Sequence, residues 1–311
     1  MDRISRRALL AAAAVAGLAG CRERSPRVEV RDADEADTPI DPALVKYRST
    51  AVIETGMAAT SGIAVSANDA ILVAGDAEVR SYAPDGKRQG SIAVAPRPTC
   101  LAVGPDGAVY VAYADRVRVY GGDGALRSEW PSLGERAELT GLSVSRDDVL
   151  LADAGGRRIL RCDHAGRELA TLCAKGGGYP GLLLPSAYLS VRHFAGGFCV
   201  NNAGLHRIER HAADGKLTAS FGAEGLEVER FCGCCNPTDF ALLPGGSVVT
   251  VEKGLVRIKE YRSDGKLACV VATPAEFVDG TAGVALAVDG HRRVLALDPK
   301  KKVVRIYERK A

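Results

Sequence analysis

The strongest constraint on the fold of this sequence is an internal repeat that occurs six times. Each copy has an apolar segment, a polar turn, a second apolar segment and a third segment, which in the first five copies ends at a glycine-containing turn. The first segments end 38 to 51 positions apart and lie at residues 62–65, 100–103, 141–144, 188–191, 239–242 and 285–288. Repeats of this length, with four short strands each, are typical of β-propellers. The sequence therefore predicts an all-β fold, a six-bladed β-propeller over residues 47–311.

The turn after each third segment supports this reading. Asp-Gly pairs lie at residues 85–86, 123–124, 214–215 and 264–265, and the third repeat has Ala165-Gly166 at this place. Asp-Gly favours two-residue hairpin turns, in which both central residues take a positive φ. The sequence therefore predicts a two-residue β-hairpin between the third and fourth strands of these blades.

The two ends of the repeat region complement each other. The sixth repeat reaches its third strand at residues 303–307, and the sequence ends at Ala311 without a fourth strand. An additional strand, at residues 47–54, precedes the first repeat. We expect this N-terminal strand to complete the last blade and close the ring, because closure removes exposed strand edges.

Residues 1–20 are typical of a signal peptide. Arg3, Arg6 and Arg7 precede an apolar stretch, and the segment ends in Leu-Ala-Gly before Cys21. This end resembles the lipobox of bacterial lipoproteins, which implies cleavage before Cys21 and lipidation of that cysteine. Residues 5–10 also resemble the twin-arginine export signal. An ordinary signal peptide with an incidental cysteine, exported by the general secretory route, is the alternative.

The segment at residues 21–46 is polar, contains three prolines and shows no apolar periodicity. We interpret it as the lipidated cysteine followed by a flexible tether. The 41 basic and 38 acidic residues leave a formal charge of +3, which is too balanced for a nucleic-acid-binding face. The resulting prediction is a protein anchored by lipid on the extracytoplasmic, periplasmic side of the inner or outer membrane, with a protein partner at one propeller face.

Three cysteines occur close together before the first strand of the fifth blade. Cys232, Cys234 and Cys235 belong to the string Phe-Cys-Gly-Cys-Cys-Asn-Pro, which contains a C-x-C, a C-x-x-C and a vicinal pair. We expect them at one mouth of the central channel, with Cys173 as a possible fourth thiol on the same face. Thiolates bind soft or borderline metals, and C-x-x-C pairs exchange disulfides. Eight cysteines besides Cys21 also suit structural disulfides, such as Cys173 with Cys232 or Cys235.

The repeat and this string together resemble one known group of proteins. The repeats are similar to NHL repeats, and Cys-Gly-Cys-Cys-Asn-Pro, followed by Pro-Gly-Gly and Val-Glu-Lys-Gly, resembles bacterial NHL-repeat lipoproteins of undefined function. The resemblance implies the propeller fold and identifies the string as a hallmark of the group. It implies no reaction.

The remaining cysteines do not converge in the sequence. Cys162 and Cys269 fall on predicted outer strands, where a thiol is expected to pack as a small buried hydrophobe. Cys100 and Cys199 fall on the predicted first strand of blade two and second strand of blade four, and the sequence assigns neither a role.

An oxygen-ligand site is a second hypothesis for the channel. Polar residues end several of the second strands, among them Asp153, Asn202 and Glu252. The related lactonase-type propellers hold a divalent cation with oxygen ligands from several blades, which would imply calcium or zinc at these three residues. The competing interpretation is that an Asp here caps its own turn through backbone hydrogen bonds. Glu252 is too long for the usual cap.

The histidines do not indicate a zinc site. His206 and His211 are five positions apart in an alternating segment, so their side chains are expected on opposite faces. His164, His193 and His291 lie near predicted turns and are expected to be solvated. The sequence contains neither a G-x-S-x-G nucleophile elbow nor a phosphate-binding loop.

These observations favour a binding or interaction protein over an enzyme. In its most specific form the prediction is a redox site, with Cys232 and Cys235 as the exchanging pair and with Cys234 and Cys173 as supporting thiols or metal ligands. A metal-dependent, lactonase-like hydrolase using Glu252, Asn202 and Asp153 is one alternative. A scaffold with purely structural disulfides is the other.

Overall fold

The computed structural model describes residues 39–311, which form six four-stranded antiparallel sheets arranged as the blades of a β-propeller. The fold prediction is confirmed. The predicted signal peptide, Cys21 and most of the predicted tether lie outside the described residues. Among the described residues no helix is long and apolar enough to cross a membrane. Three short 3-10 turns, at Pro42–Leu44, Ala203–Leu205 and Pro274–Glu276, are the helical elements of this part of the chain.

Each blade is a meander whose strands run outward from the channel. Blade one consists of β2 (Thr60–Val65), β3 (Ile71–Gly75), β4 (Glu78–Tyr82) and β5 (Arg88–Ala93), and blade two of β6 (Cys100–Val103), β7 (Val109–Ala112), β8 (Val117–Tyr120) and β9 (Leu126–Glu129). Blade three consists of β10 (Leu139–Val144), β11 (Val149–Asp153), β12 (Arg158–Cys162) and β13 (Glu168–Leu172), and blade four of β14 (Val191–Phe194), β15 (Gly197–Asn202), β16 (Arg207–Ala212) and β17 (Leu217–Phe221). Blade five consists of β18 (Asp239–Leu242), β19 (Val248–Val251), β20 (Ile258–Tyr261) and β21 (Leu267–Ala272).

Blade six joins the two ends of the described chain. It contains β22 (Ala285–Val288), β23 (Val294–Asp298), β24 (Val303–Arg309) and, as its outer strand, β1 (Tyr47–Glu54). Strand β1 pairs antiparallel with β24 from Tyr47 opposite Arg309 to Glu54 opposite Val303. The predicted closure by the N-terminal strand is therefore confirmed.

The core is divided among the interfaces between neighbouring blades. Second strands such as β7 and β19 are buried along their whole length, because both faces of each blade pack on another blade. Outer strands such as β5 and β9 are largely exposed. The interface between blades four and five is the poorest in buried apolar side chains, with a cluster of Cys199, Ile208, Phe240 and Val248. Polar and charged groups occupy much of the remainder of that interface.

The hairpins differ from the predicted two-residue turns. In the turn of blade one Gly86 has φ +88°, while Gly86 N donates to Ala83 O and Ala83 N donates to Lys87 O. The ladder shifts register beside this turn, between Ser81 and Tyr82. This is a turn followed by a left-handed glycine and a bulge. Asp85, before this glycine, does not have a positive φ, and its side chain caps the turn by accepting from Lys87 N at 3.1 Å.

The first strand of blade four starts later than predicted. The sequence pattern suggested strand residues 188–191, whereas β14 begins at Val191. The side chain of Asn201 replaces the missing ladder, since its Oδ1 accepts from Ser190 N at 2.6 Å and its Nδ2 donates to Tyr188 O at 3.2 Å. The segment before β14 is consequently held in place without being a strand.

The first strands of all six blades surround a central channel with two cavities. A cavity of about 180 Å³ lies where these strands begin, and hydroxyl-bearing residues from successive blades line it: Ser61, Thr99, Thr140, Ser190 and Thr238. A second cavity, of about 340 Å³, lies where the strands end. Most of the residues that line it are of apolar types, and the polar ones are Ser143, Arg192 and His193. The channel thus has a hydroxyl-lined end and an apolar end.

Candidate functional site

The cysteine string, residues 231–237, is anchored on blade five. Cys232 N donates to Glu252 Oε1 at 2.8 Å, and Asn236 Nδ2 donates to Cys232 O at 2.6 Å. Asn236 also forms two hydrogen bonds with the backbone of Lys253, at 2.8 and 3.1 Å. The buried Asn236 amide therefore satisfies backbone groups on both sides of the string, as a ladder would between strands.

Blade four holds the same string from the other side. His206 Nε2 donates to Gly233 O, and Asn201 Nδ2 donates to Pro237 O at 2.9 Å. Gly233 has a φ of +69°, a conformation that L side chains rarely adopt. The string is thus fixed between two blades, and the two cysteines after Gly233 have a defined position.

Cys234 and Cys235 form the thiol pair that is in contact. Their sulfurs lie 3.2 Å apart. Cys234 is exposed, whereas Cys235 has 1% of its surface exposed. Ser186 Oγ lies 3.2 Å from Cys235 Sγ and 3.4 Å from Lys253 Nζ. The result is a solvent-facing thiol on top of a covered thiol that has a hydroxyl and an ammonium group beside it.

The surroundings of the pair make the two thiols chemically unequal. Burial acts to raise the pKa of Cys235, but hydrogen bonds from Ser186 and Cys234 and the positive charge of Lys253 lower it below its usual value. The pKa of Cys234 is raised by its hydrogen bond with Cys235 and by the charge of that thiolate. Of the eight described cysteines, Cys235 is the one whose pKa is lowered. The first proton therefore leaves Cys235.

The mouth of the channel is next to this thiol pair. Lys253 Nζ lies 5.1 Å from the ring centroid of Tyr188, and Tyr188 lines the hydroxyl-lined cavity together with Thr238. Ser186 and Lys253 were not singled out as site residues from the sequence. The Val-Glu-Lys-Gly segment marked the position of Lys253, but nothing in the sequence indicated its contact with Ser186.

The environment of Cys232 does not suit the exchanging role predicted for it. It is 7% exposed, and its sulfur lies 4.0 Å from Asn236 Nδ2. Burial and the charge of Glu252 raise its pKa. The predicted exchanging pair was Cys232 with Cys235, whereas the pair in contact is Cys234 with Cys235. The reason is that Gly233 and Asn236 turn Cys232 inward.

Cys173 is not placed with the cysteine string. It is free and buried, and its sulfur lies 3.8 Å from both ring nitrogens of His211. It packs in the apolar cluster between blades three and four, close to the backbone beside Gly215. The prediction of a disulfide from Cys173 to Cys232 or Cys235 is therefore wrong for this structure, in which the eight described cysteines are all free.

Glu252 has buried cationic partners instead of an open coordination position. Its carboxylate accepts from Arg257 Nε at 2.6 Å and Nη2 at 2.8 Å, and Lys259 Nζ lies 2.9 Å from Oε2. All three side chains are buried, and Glu252 Oε1 also binds Cys232 N. Desolvation lowers the pKa of Lys259 to about 8, against the raising effect of Glu252. This cluster supports the loop beneath the string.

The cations of this cluster also bind the loop backbone directly. Arg257 Nη1 donates to Leu226 O at 2.9 Å, and Lys259 Nζ donates to Arg230 O at 2.6 Å. The loop that leads to the cysteine string would otherwise expose carbonyl groups in a buried interface, at a cost of roughly 1–3 kcal/mol for each unpaired group. Charged side chains here take the place of the apolar packing found between other blades.

The other two residues of the oxygen-ligand hypothesis also bond within their own blades. Asp153 accepts from the backbone of Glu138 and Gly156 and pairs with Arg158 at 2.9 Å, so it caps its own turn. Asn202 donates to Gly181 O and to Glu209. Across residues 39–311 no group of three or more His, Cys, Asp or Glu side chains is arranged to hold a metal ion. Glu252, Asn202 and Asp153 are each engaged in hydrogen bonds or ion pairs with other groups of the protein.

The remaining cysteines pack in the core. Cys162 and Cys269 are buried in apolar clusters, Cys162 between blades two and three and Cys269 between blades five and six. Cys100 and Cys199, which had no role assigned, are buried in the same manner. Burial raises the pKa of each of these thiols, which suits packing and disfavours reactivity.

One histidine differs from expectation. His193 was expected to be solvated near a turn, but its side chain is 25% exposed and bonded at both ring nitrogens. Its partners, Ser143 and Asp148, lie on blade three. The sequence could not show this arrangement because the residues are 45 to 50 positions apart.

No protein-family model and no curated protein matches this sequence. Solved structures do match the fold. A structural-genomics protein of unknown function from Bacteroides thetaiotaomicron has a TM-score of 0.59 at 16% identity, covering 80% of this chain and 69% of its own. A streptogramin B lyase has a TM-score of 0.58 at 12% identity, covering 87% of this chain and 100% of its own. At these identities the likeness shows the propeller fold, and function has to be argued from the site.

Proposed function

We propose that this propeller is a lipid-anchored protein of the cell envelope whose Cys234–Cys235 pair exchanges a disulfide with thiols of a partner protein. The observation that supports it is the contact of an exposed thiol with a covered, stabilised one, 3.2 Å apart. A partner can reach Cys234, while Cys235 is placed to resolve or release the mixed disulfide. The site lies beside the hydroxyl-lined mouth of the channel, where a propeller face offers a docking surface.

The environment of the pair favours the oxidising direction. A disulfide couple is a stronger oxidant when its reduced form is stabilised, and a thiolate of low pKa is the better leaving group. Ser186 and Lys253 stabilise the Cys235 thiolate of the reduced form. A disulfide between adjacent residues also closes a small ring across one peptide bond, and strained disulfides have more oxidising potentials.

The exchange balances without a further co-reactant. A thiolate of the partner attacks Cys234 Sγ of the oxidised pair, the S–S bond breaks, and its electron pair leaves on Cys235 as thiolate. A second thiolate of the partner then attacks the partner sulfur of the mixed disulfide and releases Cys234 as thiolate. The partner has lost two electrons and gained a disulfide, and the vicinal pair has been reduced. The partner is therefore a protein with a pair of oxidisable cysteines.

The predicted location is consistent with this chemistry. Disulfides form and persist in oxidising compartments such as the periplasm. The signal sequence, the lipobox-like end before Cys21 and the predicted tether would place the propeller there, next to the membrane surface. Lipid attachment would hold the thiol pair within reach of other envelope proteins.

The test is a redox titration of the full chain in glutathione buffers, with free thiols trapped and counted by mass spectrometry. We expect one two-electron transition that is lost in both Cys234→Ser and Cys235→Ser and retained in Cys232→Ser. Cys232→Ser is the matched control because it removes a thiol from the same string. Loss of the transition in Cys232→Ser, with retention in Cys234→Ser, would instead assign the exchange to the C-x-x-C pair and refute the vicinal site.

A second variant tests the charge at the site. Lys253→Met removes the ammonium next to Ser186 and is expected to raise the pKa of Cys235 and to make the couple less oxidising. Lys216→Met, in the exposed hairpin of blade four, is the control and should leave the potential unchanged. Copper, zinc or iron that copurifies with the protein and is lost in Cys234→Ser would show a metal-thiolate site in place of disulfide exchange.

A further inference from the structure

A second group of reactive side chains lies near the apolar end of the channel. Ser143 is on the first strand of blade three, β10, and His193 is on the first strand of blade four, β14. Ser143 Oγ lies 2.8 Å from His193 Nδ1, and His193 Nε2 lies 2.7 Å from Asp148 Oδ1. The three side chains therefore form a hydroxyl–imidazole–carboxylate chain across the interface between the two blades.

The hydrogen bonds set the direction of this chain. The Asp148 carboxylate accepts, so His193 Nε2 carries the proton and donates it. His193 Nδ1 is then the acceptor for the Ser143 hydroxyl. Asp148 is held in turn by Ser145 Oγ at 2.8 Å and by Arg161. This is the order of roles that activates a serine for nucleophilic attack, in which a base accepts the hydroxyl proton and a carboxylate orients the base.

The imidazole is kept in the state that this role requires. Burial lowers the pKa of His193 below its usual value, against the raising effect of Asp148. Arg161 acts in the same direction as burial, and Asp147 opposes it. Asp148 remains ionised because hydrogen bonds from Ser145, His193 and Arg161 lower its pKa despite its burial. At neutral pH the ring is therefore a free base.

The reacting atom faces a cavity of suitable size. Ser143 and His193 both line the apolar cavity of about 340 Å³, within the range of small-molecule sites. Leu101 of blade two, Leu142 of blade three and Leu286 of blade six are among the other residues that line it. His193 N donates to Ser143 Oγ at 3.0 Å and helps to fix the position of the serine oxygen, and Arg192 contributes a cation to the lining of the same cavity.

We infer that Ser143, His193 and Asp148 form an acyl-transfer site at the apolar end of the channel, which hydrolyses esters of small acyl groups. Ser143 is the nucleophile, His193 the general base and acid, and Asp148 a positioning residue. This site lies apart from the thiol pair and does not depend on it. The cavity volume of about 340 Å³ limits the acyl group to a small one.

Each step of the reaction uses the ester and water alone. The Ser143 oxygen bonds to the carbonyl carbon while its proton moves to His193 Nδ1, and the carbonyl π pair moves onto oxygen. That pair returns, the carbon–alkoxide bond breaks, and the alkoxide takes the proton from His193 to leave as an alcohol. Water then gives a proton to His193 and attacks the acyl-serine. The carboxylic acid leaves, and Ser143 regains its proton.

The test uses a fluorophosphonate probe and p-nitrophenyl butyrate. Both are applied to the full chain carrying Cys234→Ser and Cys235→Ser, so that no reactive thiol of the vicinal pair contributes. We expect one label on each chain, located on Ser143, and turnover of the ester. Ser143→Ala should abolish both. The matched control is Ser61→Ala, because Ser61 lines the channel but its hydroxyl has no hydrogen-bond partner.

The two partners of the serine have separate readouts. His193→Gln should lower turnover by on the order of 10² to 10⁴-fold, the contribution of general acid–base catalysis. Asp148→Asn should move the pH–rate inflection to lower pH, since Asp148 raises the pKa of His193. A purely structural role for Asp148 would change stability without moving the inflection. Absence of labelling in the folded parent protein, or equal labelling of Ser143→Ala and Ser61→Ala, would overturn the inference.

Discussion

Blades four and five have the same frame at their outer turn but place their buried charges differently. Asn202, Arg207, Glu209 and His211 of blade four correspond in position to Glu252, Arg257, Lys259 and Tyr261 of blade five, each 50 residues later in the chain. In blade four the carboxylate is on the third strand, and in blade five it follows the second strand. The arginine is common to both blades, whereas the carboxylate occupies a different position in each, so the two charge networks differ.

The two networks bind different groups because the carboxylate occupies a different position in each blade. Glu209 is bound by side chains of its own interface, including Tyr179 at 2.6 Å and Arg207 at 2.7 Å. Glu252 reaches a backbone amide of the cysteine string as well as two cations. In blade five the buried carboxylate is thus directed to the incoming loop as well as to its own blade, and this is the blade that carries the cysteine string.

The largest expected effect is on stability, and it should differ between the substitution of Glu252 and that of Glu209. Glu252→Gln leaves Arg257 and Lys259, with side chains 2% and 0% exposed, without their anion. We expect a loss of about 3–5 kcal/mol in the free energy of unfolding. Glu209→Gln should cost less, about 2 kcal/mol, since Arg207 is 25% exposed and can be solvated. Urea denaturation measures both, and equal losses would contradict the comparison.

The second prediction concerns pH, where the two blades should respond at opposite ends of the range. The pKa of Lys259 is lowered to about 8 from an ordinary 10.5, so between these values the unfolded state binds more protons. Stability from this site therefore rises with pH across that window, by at most about 1.4 kcal/mol per pH unit. Lys259→Met should remove this rise. Other groups also titrate in this range, so the quantity to compare is the difference in free energy of unfolding between the parent protein and Lys259→Met at each pH.

Glu209 should give blade four a pH-dependent stability on the acid side of the range. Burial acts to raise its pKa, but hydrogen bonds from His211, Tyr179, Arg207 and Asn202 lower it to about 2. Its stabilising contribution is present above the ordinary value of 4.5 and is lost as the pH falls toward 2. Glu209→Gln should therefore flatten the acid side of the stability profile and leave the alkaline side as it is. A change on the alkaline side would show that the networks are coupled.

The third prediction tests the contact that joins the two blades at the cysteine string. His206 of blade four donates to Gly233 O. His206→Ala leaves that carbonyl without its partner, and we expect a loss of roughly 1 kcal/mol together with faster alkylation of Cys235 as the string loosens. His291→Ala, at an exposed histidine, is the control. Unchanged alkylation in His206→Ala would show that blade four does not help to position the thiol pair.

The smallest effect is expected at Cys173. It belongs to the network of blade four, so Cys173→Ala should cost about 1 kcal/mol or less by leaving a small void. The redox potential of the Cys234–Cys235 pair should stay the same. A shifted redox potential would show that Cys173 is coupled to the thiol pair, and the networks of the two blades would then not be independent.

The fold was accessible from the sequence because its signals are local and repeated. Apolar second strands and turn glycines recur at similar spacing, and residues 47–54 could be recognised as the missing strand of the last blade. The predicted turn type was wrong. Asp-Gly is favoured both in a two-residue turn and in a turn that ends in a left-handed glycine with a bulge, so the pair does not distinguish the two. The predicted start of the first strand of blade four was wrong as well, because an apolar pattern does not show that the Asn201 side chain replaces the strand ladder there.

The candidate site was predictable in its position but not in its chemistry. The string at residues 231–237 was visible as a cluster of thiols before blade five. Which two thiols meet depends on Gly233 and Asn236 turning Cys232 inward, and the low pKa of Cys235 depends on Ser186, 49 residues away. Ser143, His193 and Asp148 carried no motif, because they are joined across an interface between blades.

The sequence by itself determined the architecture, the number of blades and the strand that closes the ring, because each of these follows from short-range periodicity and turn chemistry. The tertiary structure decided which residues act together. It directed Cys173 to His211, and Ser186 to both Cys235 and Lys253. The physical reason is that burial, charge pairing and hydrogen-bond direction arise between blades, where residues about 40 to 70 positions apart come within hydrogen-bonding distance.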